Sequence, residues 1–194
     1  MAALVLAHGA GAGQSSPFMV RVATGLAERG LTTATFDFVY MSTGRKAPDR
    51  APVLEAAWRE AIESARSKFD GLALYIGGKS MGGRIASHVA SQGGAGPLAG
   101  LIFLGYPLHP PGRPDQRRDA HLPAIAEPML FVQGSRDAFG SADEIRQMLP
   151  SLQHATLQEI QGGDHSFKVP GGAGQQAPVL TAIMDVVAAW ARQG

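Results

Sequence analysis

The sequence predicts a three-layer α/β/α architecture: a doubly wound, mostly parallel sheet of about six strands with helices on both faces. Three observations predict it. Short apolar runs alternate along the chain with stretches whose apolar residues recur at helical spacing. Most of the short runs are continuously apolar, as suits parallel strands covered on both faces. The 194 residues, 45% of them hydrophobic, suffice for one substantial core. No linker or internal repeat divides them, so a single domain over residues 1–194 is expected.

The strands expected in order are Ala3–Ala7, Thr33–Val39, Ala73–Ile76, Leu101–Leu104, Met129–Val132 and Thr156–Ile160. The last carries Gln158 and Glu159 and is assigned to an edge. Helices are expected over Phe18–Glu28, Met81–Ser91 and Ala142–Met148. Another follows Pro52, where Leu54, Ala57, Trp58, Ala61, Ile62 and Ala65 form one apolar stripe. A proline near a helix start costs little, because its missing N–H would have been unpaired. The final helix shows Leu180, Ile183, Met184, Val187 and Ala191 in the same pattern. Two Gly/Pro-rich stretches, Tyr106–Pro114 and Pro170–Ala177, read as surface loops.

Charge and composition narrow the function. A net charge of +1 offers no field for nucleic acid or anionic lipid. The Arg113–Arg118 cluster is diluted by Pro114, Asp115 and Gln116 and reads as a loop or a pocket rim. With no cysteine, a thiol nucleophile, a thiolate zinc site and disulfides are excluded. The apolar start MAALVLAHG is short and has no basic flank. A signal peptide and a membrane span are therefore not expected, and a cytoplasmic location is. No histidine pair has metal-ligand spacing with a third ligand nearby, and no cofactor is expected.

Chemistry concentrates where the third strand ends. Residues 78–82, Gly78-Lys79-Ser80-Met81-Gly82, match G-x-S-x-G between a strand and a helix. A serine projecting from so tight a turn leaves no room for side chains two residues away, and glycines remove them. Two other readings compete. Ser80 can be a plain helix N-cap. Alternatively, Gly78-Lys79-Ser80 imitates a phosphate loop, but that motif needs glycine at position 73, which is Ala73 within the strand.

The first strand ends in His8-Gly9-Ala10-Gly11-Ala12-Gly13. Its glycines miss the dinucleotide pattern at Gln14 and Ser16. Small residues there let backbone N–H groups approach an acyl oxygen. Ala10 and Met81 are assigned as oxyanion donors, with Gly9 and Gly11 as close alternatives. His8 is read as structural.

Asp137 follows the fifth strand and His165 the sixth, each in a loop at a carboxyl end, where sites form in open α/β sheets. The order Ser80, Asp137, His165 suits a serine nucleophile, an acid and a base. Histidine is needed to take the serine proton, and the acid to hold its tautomer. Asp137 can instead cap the helix near Ser141. Asp164 is the rival acid, but its adjacency to His165 rarely gives usable geometry.

With these residues in hand, the chain resembles the α/β-hydrolase superfamily over nearly its full length. The phrases GGKSMGGR (77–84), GYPLHPPGRP (105–114), HLPAI (121–125), FVQGSRDAFG (131–140) and GGDHSFKV (162–169) resemble its dienelactone-hydrolase-like part. They are most similar to the branch of testis-expressed protein 30 and the third subunit of the NSL chromatin complex. The resemblance implies Ser80, Asp137 and His165 as a catalytic triad. The sequence departs from the wider superfamily in two respects: it starts at the strand that feeds the oxyanion loop, so the usual first two antiparallel strands are expected to be absent, and the segment between Leu104 and Met129 holds only the Pro-rich loop and a short helix, so no lid is expected.

The expected activity is hydrolysis of an ester or thioester of a small or medium acyl substrate through an acyl-enzyme, by a monomer or homodimer. Tyr40, Met41, Arg45, Tyr106 and His109 follow strand ends and are candidates for the substrate pocket. Arg45 or Arg113 is a candidate to bind a substrate carboxylate or phosphate, although a solvated rim explains both equally well. The alternative, suggested by the chromatin members, is an idle fold that binds partners. A dehalogenase would need a carboxylate where Ser80 stands.

Overall fold

The apolar runs become the six strands of one all-parallel sheet. In the computed structural model, which describes residues 1–193, these are β1 (Ala2–Ala7), β2 (Thr32–Phe36), β3 (Ala73–Lys79), β4 (Gly100–Leu104), β5 (Met129–Gly134) and β6 (Ala155–Ile160). They lie in the order β2-β1-β3-β4-β5-β6, every neighbouring pair parallel. All five β4 residues are buried, as continuous apolarity requires of a central strand. The more polar β6 is at an edge, as its sequence indicates.

Among the described residues six helices accompany the sheet: α1 (Pro17–Ala27), α2 (Val39–Ser42), α3 (Ala51–Lys68), α4 (Met81–Ser91), α5 (Ala142–Met148) and α6 (Ala173–Ala191). Met19, Val22 and Leu26 of α1 pack with Ile183, Met184 and Val187 of α6 on one face of the sheet. Residues of α3, α4 and α5 fill the other, among them Trp58, Ile85 and Ile145. Trp58 buries its rings there and donates its indole N–H to the Gly82 carbonyl at 3.0 Å, which ties α3 to the start of α4. Between β4 and β5 the chain makes only loop and a 3₁₀ turn at Leu122–Ala124.

Two expected boundaries differ. The second strand stops at Phe36 rather than Val39, and Val39 opens the single-turn α2. Asp37 diverts the chain: its carboxylate accepts the Gln14 backbone N–H at 2.7 Å and the Gln14 side-chain amide at 3.2 Å. The last helix begins at Ala173, inside the stretch read as a loop, and carries Pro178 within it. No helix among the described residues is long and apolar enough to cross a membrane.

Candidate functional site

Ser80 sits between β3 and α4 with φ 50° and ψ −117°, a region that non-glycine residues rarely occupy. The strand–turn–helix around it is pressed onto the end of β1. A Cβ at Gly82 would lie 2.5 Å from the Ala7 carbonyl oxygen and 2.6 Å from that of His8. A Cβ at Gly78 would also collide with the Ala7 carbonyl. The two motif glycines are therefore required by the neighbouring strand's backbone, more than by crowding within the turn itself.

The structure brings Ser80, His165 and Asp137 together. His165 Nε2 is 2.8 Å from Ser80 Oγ, and its Nδ1 is 2.7 Å from Asp137 Oδ2. Asp137 is buried and accepts the Phe139 backbone N–H on its other oxygen at 2.8 Å. With Nδ1–H donated to a carboxylate, Nε2 is left as the acceptor facing the serine hydroxyl. The Phe139 ring lies 4.2 Å from the imidazole, centroid to centroid.

The competing roles fall elsewhere. Asp164 does not approach the imidazole nitrogens; its Oδ1 accepts the backbone N–H groups of Ser166 and Lys168, holding the loop that carries His165. Ser141 caps α5 in a capping box with Glu144, so Asp137 is not needed there. His8 is structural: Nδ1 donates to the Gly9 carbonyl at 2.8 Å and Nε2 accepts the Phe38 N–H at 3.1 Å. A second Ser–His contact joins Ser87 to His121 at 2.7 Å. Ser87 is fully buried, and burial brings the His121 imidazole down to about 4, so this pair has neither access nor a basic partner poised for neutral pH.

Two residues to which sequence reasoning gave no role organise the site. Gln133 at the end of β5 is fully buried. Its amide N–H groups face Asp137 Oδ2 at 3.0 Å and the Gly140 carbonyl at 2.6 Å, and its oxygen accepts the Tyr106 N–H at 2.8 Å. It thus positions the acid. The missed signal was a glutamine at the end of an otherwise apolar strand run, four residues before the aspartate. Lys79 buries its chain beside Ser80 and donates from Nζ to the His165 carbonyl at 2.6 Å. Burial brings its ammonium down to about 8, against the opposing pull of Asp137 and Asp164.

Two clefts meet at Ser80. The larger, about 610 Å³, is lined by Phe18, Met19, Lys79, His165 and Leu180 among others. The smaller, about 250 Å³, runs over Leu54, Met81, Arg84, Ile85 and Arg118. Ala10 and Phe139 line both. Among the described residues, the backbone N–H groups of Ala10 and Met81 have no acceptor within the protein.

The expected pocket residues need correction. Tyr40, Met41, Arg45, Tyr106 and His109 line neither cleft. Tyr40 and Tyr106 turn inward and are buried in the core. Tyr106 donates its hydroxyl to the Arg118 carbonyl at 2.7 Å, whereas the Tyr40 hydroxyl is enclosed without a partner. His109 is buried against Glu144 at 2.9 Å. Met41 packs at the edge of the core, and Arg45 turns outward to grip Asp49. Arg113 is exposed and reaches neither cleft. Strand-end position put these residues near the site, but side-chain direction took them away from it. Among the described residues, no cluster of three His, Asp or Glu is arranged to hold a metal.

Comparison with known proteins agrees with the architecture. A family model described as "Alpha/beta hydrolase domain" matches residues 1–192. Similar solved structures include a dienelactone hydrolase from Anabaena variabilis, 24% identical with a TM-score of 0.75 over 97% of this chain and 84% of that one. An α/β serine hydrolase without a lid from Xanthomonas campestris is 20% identical, TM-score 0.72, covering 97% and 82%. An α/β serine hydrolase homologue from Coxiella burnetii is 17% identical, TM-score 0.75, covering 96% and 83%. At these identities the likeness is one of fold.

Proposed function

Since the chain belongs to the alpha/beta hydrolase family, we propose that it is a serine hydrolase that cleaves an ester or thioester of a small or medium acyl group through an acyl-enzyme. The observation that carries the reading is the chain of contacts from Ser80 Oγ through His165 to Asp137, placed where two clefts meet. In the proposed cycle His165 Nε2 takes the hydroxyl proton as Ser80 Oγ bonds to the acyl carbon. The carbonyl oxygen becomes an oxyanion facing the free N–H groups of Ala10 and Met81. The intermediate collapses, breaking the bond to the alcohol or thiol, and His165 returns the proton to that leaving group. Water then attacks the Ser80 ester by the same path, releasing the acid and restoring the serine. Asp137 stays ionised throughout and stabilises the imidazolium.

The energetic logic supports this reading. A strained serine backbone, two unpaired N–H groups and a buried carboxylate each cost stability, and an idle fold has no use for all three. The small-molecule substrate, the cytoplasmic setting and the narrower branch resemblance belong to the same proposal.

The test is labelling with a fluorophosphonate probe, read by mass spectrometry. A single adduct on Ser80, absent in Ser80→Ala and strongly reduced in His165→Ala, is expected. A panel of p-nitrophenyl esters and acyl thioesters then ranks substrates. A folded protein that takes up no probe would overturn the reading in favour of a binding protein that retains the fold.

A further inference from the structure

The smaller cleft carries charge that the protein leaves unanswered. Arg84 lies one helical turn beyond Ser80 on α4, and Arg118 reaches in from the loop after β4. Neither forms a salt bridge among the described residues. The Arg84 guanidinium has one protein contact, Nη1 to His88 Nε2 at 3.3 Å, and its Nε is enclosed without any partner. The Arg118 side chain makes no hydrogen bond among the described residues.

The acids nearby are already engaged. Asp49 lines the same cleft, but Arg45 holds both of its oxygens, at 2.7 and 3.2 Å. Glu55 faces His88 at 3.2 Å and Gln92 at 3.3 Å. Burial, then the charge of Arg118, lowers the pKa of Arg84, so the two guanidinium groups repel each other where they stand. A pair of half-buried like charges beside a nucleophile is an arrangement that an anion completes.

The two clefts also differ in which half of a substrate they suit. His165 must hand its proton to the leaving group, and it lines only the larger cleft. The leaving group therefore belongs there, among Phe18, Met19 and Leu180. The acyl group is left with the smaller cleft, which shares Ser80, Ala10 and Met81 with the reacting carbonyl. Its volume of about 250 Å³ holds a short chain.

Resting on the hydrolase reading above, we infer that the acyl group ends in a carboxylate held by Arg84 and Arg118, so that the substrates are half-esters or half-thioesters of short dicarboxylic acids with an apolar leaving group.

The test compares monobenzyl glutarate with benzyl valerate, which differ at the far end of the acyl chain in carrying a carboxylate or a methyl group, by chromatography of released benzyl alcohol. Wild type is expected to favour the glutarate half-ester in kcat/KM by about 10- to 100-fold, the scale of a charge-assisted hydrogen bond. In Arg118→Gln that preference should fall at least about tenfold, and Arg118→Lys should restore part of it. Binding of monobenzyl glutarate to Ser80→Ala, followed by calorimetry, should weaken in the same order when Arg118 is changed. Equal rates for the two esters in wild type, or an Arg118→Gln protein that keeps the preference, would overturn the inference and leave the hydrolase reading standing. Preference for benzyl 4-phosphonobutyrate over the glutarate half-ester would overturn the carboxylate in favour of phosphate. Loss of fluorophosphonate labelling together with no turnover of either ester would remove the hydrolase reading, and the inference with it.

Discussion

Replacing Ser80 with glycine should make the protein more stable than replacing it with alanine. Both changes remove the hydroxyl and its 2.8 Å contact with His165, so their difference isolates the backbone. At φ 50° and ψ −117°, a residue with a Cβ is strained by about 1–3 kcal/mol, and glycine is not. Against that, glycine gives the unfolded chain more freedom, a cost of about 0.4–1 kcal/mol. The balance favours Ser80→Gly over Ser80→Ala by up to about 2.6 kcal/mol and centrally by about 1.3 kcal/mol, or about 3–5 °C in Tm for a chain of this size. Urea unfolding followed by fluorescence and circular dichroism, with coincident transitions, measures the difference. An alanine variant as stable as the glycine variant, or more so, would show that the turn is not strained and that the reasoning is wrong.

Two further outcomes are expected. Gln133→Leu keeps the side-chain size but leaves the Tyr106 N–H and the Gly140 carbonyl unpaired in the interior. It should cost about 2–6 kcal/mol, from about 1–3 for each stranded group, and lower kcat more than it raises KM by loosening Asp137. Urea titration and steady-state kinetics check the two effects separately. The buried Lys79 makes a pH prediction with a definite sign. Its folded value of about 8 lies below the ordinary 10.5, so between them the unfolded chain binds the extra proton and stability rises with pH. Above about pH 10 the raised phenols of Tyr40, Tyr75 and Tyr106 act in the opposite direction. Urea midpoints between about pH 8 and 9.5 should therefore climb in the wild type and stay flatter in Lys79→Met.

Much of this molecule can be read from its sequence because local chemistry and global position agree. The β4 run is apolar throughout because both of its faces are covered, and α4 runs from Met81 to Ser91 as its pattern predicts. Ser80 is legible through the G-x-S-x-G spacing at a strand–helix junction, although its glycines also answer to the Ala7 and His8 carbonyls. What escaped depended on distant partners. Gln133 looks like a polar residue ending a strand until Asp137, Tyr106 and Gly140 surround it. Val39 looks like strand until Asp37 turns the chain to hold Gln14. Pro170–Ala177 reads as a loop, yet α6 begins within it and holds Pro178 early, where losing one bond to Gly174 is tolerable while the rest of the helix packs its apolar stripe. The smaller cleft was legible only at Arg118, within a cluster read as a loop or pocket rim; Arg84 is far from it in sequence, and their lack of acidic partners is a property of the folded chain alone.

The contact between Lys79 and the His165 loop has a steric corollary. Its ammonium lies against Gly105, where a Cβ would sit 3.0 Å from Nζ and 3.5 Å from His165 Nδ1, and over the ring of Phe167, itself at a positive φ of 60°. Gly105 is itself at φ 72°, so a side chain there is strained whether or not the lysine is present, and displacing the ammonium adds to that cost. Losing Lys79 therefore opens space beside position 105 without removing the backbone cost of a side chain there.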